Sequence, residues 1–508
     1  MKKHITYLQL IIALAMLVSC NELDQFPQDK LGPETFWKTE AHIQQGLAGV
    51  YSKLKPSSTS AHTYLDWHAP WLDALTDNAI DLSNTASSAA FLVQRGILTP
   101  NTGGIVDNIF ASSYKGIAAC NNFLENLPQA TANSGITTAK SKAYEGEVRF
   151  LRALFYFNLV AFYGDVPMYT KLPPTVDAAK VKQSPADSVY ALIYRDLDFA
   201  IASLPDVRYS SNTGHACLAS AQALKARVAL FRNDFNTVKT LTSKIIADGK
   251  HTLTTGTDPY NGIFTHAVSG GTQLTNPEIL FSTTYLKPNY LHQTDKYAGY
   301  DLTYYSGALI QPLQDLISCY SPTDKRLLLW YARPDPVTKQ FTVNGTTVTN
   351  NANLVSGWKF MKFADKNDAA MLKATSGQQS DQDVVLLRYA DVYLMYIEAM
   401  VETGGGTTKD ANAVAYMKEI RSRAGLNVAD LTTITRDDLR LERRKELAFE
   451  GLRYYDMKRW KILEKLNGFV AYPGLPAFIF NTIFYTWPFP QTEIEVNPNL
   501  DQKNGYSS

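Results

Sequence analysis

Apolar residues recur at spacings of three and four along most of this chain, the period of helices that bury one face. Residues 40–54 carry Ile43, Leu47, Val50 and Leu54 in that rhythm, and Pro56 stops the run. Residues 142–162 form one broad stripe through Val148, Leu151, Leu154, Phe155, Leu159 and Phe162. Gly164 then suits a C-terminal cap, and Pro167 prevents continuation. A further helix is predicted over 185–204, carrying Val189, Leu192, Ile193, Leu197, Ala200 and Ile201. Residues 216–232 and 234–248 predict a helix–turn–helix of tetratricopeptide length. Ala219, Ala221, Ala223, Ala226 and Ala229 line its first helix, so neighbouring helices can approach closely. A second such pair covers 384–402 and 409–424, joined by Gly404, Gly405 and Gly406. The last helix starts at a capping box, Thr435 with Asp438, and runs towards Leu463.

Two stretches break the rhythm. Residues 56–104 are irregular and hold Trp67, Trp71 and Phe91. Residues 250–350 are rich in Thr, Tyr, Gly, Pro and Asn, with β-like pieces at 279–284 and 341–349. Asn344-Gly345 inside the second piece is a hairpin signal. The expectation is a mainly α single domain of tetratricopeptide-like helix pairs with long loop and β-hairpin insertions. Long structured loops on a rigid scaffold are where binding usually resides.

The N-terminus follows a different logic. Lys2 and Lys3 precede an apolar stretch over 5–18, and Leu17-Val18-Ser19-Cys20 ends it with a small residue before the cysteine. That is the layout of a secretory signal. The stretch is shorter than the roughly 18–20 residues that span a bilayer, which disfavours a retained transmembrane helix. A cysteine placed there resembles the lipobox of bacterial lipoproteins. The resemblance implies removal of residues 1–19, lipidation of Cys20 and a tether over 20–30. An ordinary signal peptide with a chance cysteine is the plainer alternative.

Charge narrows the partners. With 49 basic and 48 acidic residues the formal net charge is +1, so the basic excess that nucleic acid or an anionic membrane surface calls for is missing. A neutral ligand or a protein partner fits better. Aromatics are abundant, with 29 Tyr, 23 Phe and 7 Trp, and tyrosine in loops suits amphipathic ligands. Cys120, Cys217 and Cys319 cannot all pair with one another and lie far from metal-site spacing, so buried thiols are expected, with one disulfide left open.

Short catalytic motifs are missing from the sequence: there is no H-E-x-x-H, G-x-S-x-G, Walker-type or G-x-G-x-x-G string. Gly404 to Lys409 faintly suggests a phosphate loop but lies between two helices, as a plain turn does. Two carboxylates brought together by folding leave no short signature, so a glycosidase is not excluded on this ground. The run from Leu441 to Glu450 places Glu442, Glu446 and Glu450 four apart, and an ion-pair network clamping the last helices is the expected reading.

Several segments, in order, resemble the SusD/RagB family of nutrient-binding outer-membrane lipoproteins. They are Leu23-Asp24 with Pro27, then Thr35-Phe36-Trp37-Lys38-Thr39-Glu40, then Glu147-Val148-Arg149-Phe150-Leu151-Arg152-Ala153 leading to Tyr163-Gly164-Asp165-Val166-Pro167. Later come Leu387-Arg388-Tyr389-Ala390-Asp391, Ile420-Arg421-Ser422-Arg423-Ala424-Gly425, Glu442-Arg443-Arg444-Lys445-Glu446 and Tyr455-Asp456-Met457-Lys458-Arg459-Trp460. Pro488-Phe489-Pro490-Gln491 and Asn497-Pro498 close the pattern. The family's usual Q-N-P-G-Y-like ending is here Gln502-Lys503-Asn504-Gly505-Tyr506. The resemblance implies a SusD-like ligand-binding domain over 20–508. It also implies a SusC-like, TonB-dependent outer-membrane transporter as partner, with delivery of glycans or sometimes peptides into it. Glu22 and Asp24 fit the acidic leader that directs such lipoproteins to the cell surface.

Non-catalytic glycan capture is the leading expectation. A sugar ring needs flat aromatics for its C–H face and polar side chains for its hydroxyls. The first insertion offers Trp67, His68, Trp71, Asp77, Asn78, Phe91 and Arg95. The second offers Tyr285, Tyr290, Tyr297, Tyr300, Tyr304 and Tyr305, with Trp330 and Tyr331 further on. A surface endo-acting glycan hydrolase, or a transporter lid with little ligand binding of its own, are the alternatives. No cofactor is expected, and a structural cation such as calcium is left open.

Overall fold

A computed structural model describes residues 36–54, 69–82, 89–264, 273–285, 310–349, 354–363, 383–471 and 473–506. The expected signal segment, Cys20 and the expected tether lie outside the described residues. Helices run through the chain as α1 (Glu40–Tyr51), α2 (Ala69–Ala74), α3 (Ala89–Gln94), α4 (Ile105–Ser134), α5 (Thr138–Tyr163) and α6 (Ala186–Ser203). They continue as α7 (Leu218–Phe231), α8 (Phe235–Ala247), α9 (Lys325–Trp330), α10 (Tyr389–Thr403), α11 (Ala411–Arg423), α12 (Arg436–Glu446) and α13 (Arg453–Arg459). Caps set their starts: the Thr39, Thr137 and Asp234 side chains each accept a first-turn N–H. Thr435 and Asp438 form the expected reciprocal box at α12. Neighbours pack in sequence, α1 on α4, α4 on α5, and so on through α6, α7 and α8 to α10, which also meets α11 and α12. The result is a stack of tetratricopeptide-like helix pairs around one large hydrophobic core.

Helix α4 is 30 residues long and lies outside the segments predicted above. Its Gly116 explains how tightly it sits on α5: a Cβ there would overlap the ring of Phe155, which is fully buried. Gly116→Ala should therefore destabilise by about 1–3 kcal/mol through overpacking, even though alanine favours a helix over glycine by roughly 1 kcal/mol. A urea melt reading no loss would show that the α4–α5 contact is slack.

Two predicted helices differ in the structure. Residues 384–388 are not the start of a helix but a strand, β8 (Val384–Arg388), antiparallel to β2 (Ile279–Thr283). The helix begins only at Tyr389, whose N–H bonds to the Glu278 carbonyl at 2.8 Å. The last helix does not run on towards Leu463. It stops at Glu446, the backbone turns left-handed at Phe449 (φ 63°) and Gly451 (φ 73°), and α13 follows in a new direction.

The insertions supply paired two-stranded ribbons. β1 (Ala79–Asp81) pairs with β3 (Ile310–Pro312), and β4 (Tyr331–Ala332) pairs with β7 (Lys359–Phe360), both antiparallel. The predicted hairpin forms as β5 (Gln340–Val343) and β6 (Thr346–Thr349). Asn344 (φ 44°) and Gly345 (φ 80°) are both left-handed, as a two-residue turn of the primed type requires.

Candidate functional site

The two insertions, far apart in sequence, are joined by β1 and β3. Ala79 lies opposite Pro312 and Asp81 opposite Ile310, and the Leu313 N–H extends the ladder to the Asn78 carbonyl at 2.9 Å. The Val355 N–H donates to Gln311 Oε1 at 2.8 Å, which ties the 354–358 loop to β3. β3 also packs beside β7. The hairpin buries Phe341, Val343 and Val348 with Met361 and Ala332, next to the β4–β7 ribbon. Segments from both aromatic-rich insertions thus share one loop-bearing face.

Residues predicted for ligand contact distribute unevenly over it. Trp67, His68, Tyr290, Tyr297, Tyr300, Tyr304 and Tyr305 lie outside the described residues. Trp71 is half-buried and packs against the core. Arg95 crosses the Phe91 ring at 5.0 Å and donates to the Pro476 carbonyl at 2.9 Å, so these two side chains brace α3 against the C-terminal segment.

Asn78 and Trp330 are corrections, because neither has any exposed surface. The Asn78 amide donates to Asp73 Oδ1 at 2.7 Å, and its oxygen accepts from Arg444 Nε at 2.9 Å. Trp330 carries the Lys362 ammonium 3.9 Å above its ring and the edge of Tyr260 at 4.8 Å. Complete burial leaves Trp330 no face to offer a sugar. Asp77 is likewise engaged by Arg453, whose Nε and Nη2 donate at 2.8 and 2.7 Å. Burial pushes the Asp77 carboxyl up, but Arg453 and Arg444 more than offset that and hold it below the usual range. Tyr285 and Tyr331 are also buried.

Beneath this face lies the expected clamp of charges. Glu446 accepts from Arg388 at 2.9 Å, Arg423 at 2.6 Å and Arg326 at 2.9 Å. Glu442 pairs with Arg326 and Arg421, and Glu450 with Arg388 and Lys362. Such a network holds the last helices against β8 and α9, as the spacing in the sequence implies. Cys120, Cys217 and Cys319 are all free thiols, and Cys319 is only partly buried.

Trp358 went unread in the sequence. It is half-exposed at the end of the β4–β7 ribbon, with the Arg333 guanidinium 5.7 Å from its ring centre. A tryptophan directly after Ser356-Gly357 was the available signal, and it falls just past the insertion boundary drawn at 350.

Comparison with known proteins agrees with this architecture. Residues 334–506 match the SusD family, and residues 23–230 match a related SusD-like family described as starch-binding and associating with the outer membrane. SusD-like protein P2 of Formosa agariphila is 26% identical, with both chains covered in full. A SusD-like carbohydrate-binding protein from Bacteroides fragilis superposes with a TM-score of 0.75 at 24% identity, covering 92% of this chain and 100% of that one. Surface glycan-binding protein A of Bacteroides thetaiotaomicron, solved with laminarihexaose, gives 0.72 at 21% identity over 92% of this chain and 100% of that one. The two family matches do not overlap and together take in well over half of the sequence. With its helix stack and conjoined insertions, the chain belongs to the SusD-like family.

Proposed function

We propose that the protein captures glycans at the cell surface without chemical turnover and hands them to a TonB-dependent outer-membrane transporter. The observation that carries this reading is the pairing of β1 with β3, which joins the described parts of both aromatic-rich insertions on a helical stack. Stacked aromatics contribute only about 0.5–1.5 kcal/mol each beyond area burial, so such a face binds and lets go. A fold neighbour holds laminarihexaose, which supports a glycan as the ligand class. Lipidation of Cys20 would keep the domain at the membrane, and the segment over 20–30 would let it lift from and close over a channel.

Calorimetry of the purified protein against neutral oligosaccharides, laminarihexaose and maltohexaose first, tests capture. Binding in the micromolar to millimolar range with no released product is the expected result. Sustained hydrolysis would make it an enzyme, whereas tight co-purification with a transporter and no glycan binding would make it a lid. Cys20→Ala should leave binding intact while abolishing surface display and glycan-dependent growth. Normal uptake by that variant would defeat the tether.

A further inference from the structure

The pair Arg333 and Trp358 has a chemistry that a neutral sugar does not require. Ala332 lies opposite Lys359 in the antiparallel β4–β7 ribbon, so Arg333 and Trp358 are the next residues outward on the two strands. Trp358 packs in part against the core and is half-exposed, and Arg333 is exposed, its guanidinium carbon over the indole at 5.7 Å from the ring centre. Among the described residues no carboxylate pairs with Arg333. That sets it apart from Arg326, Arg388, Arg423, Arg443, Arg453 and Arg459, each neutralised by Asp or Glu. The nearest acidic residue in sequence, Asp335, is turned to its own loop: its Oδ1 accepts from the Val337 N–H at 2.9 Å and the Thr338 N–H at 2.7 Å. Beside the ribbon, the outer face of the hairpin exposes Thr342 and Thr347, whose hydroxyls lie 3.5 Å apart.

A guanidinium is always charged and presents a planar fork that matches the two oxygens of a carboxylate or sulfate. An indole presents a flat apolar surface that suits the C–H face of a pyranose. With the guanidinium over the indole and no carboxylate partner among the described residues, the two groups are complementary to a sugar ring bearing an anionic substituent. We propose that Arg333 and Trp358 form a subsite for an acidic sugar, the indole stacking on the ring and the guanidinium pairing with its carboxylate or sulfate ester. The proposal rests on the glycan-capture reading and names the ligand class for it.

The test is calorimetry of the full protein with four hexasaccharides: galacturonate, a sulfated carrageenan fragment, laminarihexaose and maltohexaose. At low salt at least one acidic probe should bind about tenfold tighter than either neutral one, the worth of one charge-assisted contact. The preference should shrink in high salt, since an exposed pair is screened. Which acidic probe wins separates carboxylate from sulfate as the anion read. Arg333→Gln should erase the preference, and Arg333→Lys should keep part of it. Trp358→Ala should weaken every probe. Equal affinity for neutral and acidic probes, or a preference that survives Arg333→Gln, overturns the subsite while leaving glycan capture standing. Binding of none of the four by the wild type overturns the subsite and capture together.

Discussion

Glu446→Ala is expected to cost the fold about 3–5 kcal/mol, the usual loss when one member of a buried ion cluster is removed. Glu446 is fully buried, and its two oxygens accept from Arg388, Arg423 and Arg326 at 2.6–2.9 Å. Burial alone would push its carboxyl up. Arg423, Arg388 and Arg326 overcome that penalty and hold it at about 2. Alanine would leave Arg326, Arg388 and Arg423 each one carboxylate contact short in a buried site. The urea midpoint should fall with an unchanged slope, because the folded state keeps its compactness. The acid limb carries the same sign. Since the folded value lies below the ordinary 4.5, this contribution is present above pH 4.5 and is lost as pH falls through about 2. Glu442, also held at about 2, behaves alike. Breaking the exposed pair Lys182–Asp501, with both side chains about two-thirds exposed, should leave the midpoint in place. A midpoint for Glu446→Ala equal to wild type would show that the cluster contributes no net stability.

What could be read in the sequence was local. The stripe of α5 and the capping box at Thr435 are decided by residues within one or two turns, and the pattern shows them directly. The hairpin tip at Asn344-Gly345 is equally local, since its two residues tolerate left-handed backbone. Non-local choices did not show. The Val-Val-Leu-Leu run at 384–387 suits a strand as well as a buried helix, and only β2, some hundred residues away, settles it. At 447–451 the residues are compatible with helix, yet the chain turns because Asp73, 376 residues earlier, accepts the Phe449 N–H. The site shows the same division. Asp77, Asn78 and Trp330 have the residue types of a sugar site, but residue type does not report which way a side chain faces. Their partners Arg453, Arg444 and Lys362 come from distant segments. Trp358 was hidden for another reason: it sits half-exposed at the end of a short ribbon whose pairing has no periodic signature.

Asp73 leads to the second large expectation, a pH dependence opposite in sign to that of Glu446. Its carboxylate, fully buried, accepts from Asn78 Nδ2 at 2.7 Å and from the N–H groups of Phe449 and Gly451 at 3.1 Å each. Phe449 in turn stacks on Phe360 of β7 at 3.8 Å. One side chain therefore links α2, β1, the left-handed turn and the ribbon that carries Trp358. Burial is the dominant influence and raises its carboxyl to about 6, even though three hydrogen bonds and Lys362 pull it down. A raised folded value means the acid form suits the folded state better. Its stabilising effect is complete below the ordinary 3.8 and is lost as pH rises through about 6. At roughly 1.4 kcal/mol per unit, the charged form costs about 3 kcal/mol at neutral pH. Asn removes that charge but places an N–H opposite one of the backbone donors, a loss of about 1–3 kcal/mol. The two effects nearly cancel at pH 7.5, so the variant should look close to wild type there. At pH 4.5 wild-type Asp73 has largely shed its cost while the variant keeps its misplaced donor. The stability gap should widen by about 2 kcal/mol against Asp73→Asn. Amide exchange at Phe449 and Gly451 should also be faster in the variant, because the turn has lost an acceptor. A gap that stays constant between pH 7.5 and 4.5 would mean that Asp73 titrates alike in the folded and unfolded chains, and that the turn beneath the ligand face is held by a carboxylate that burial leaves unperturbed.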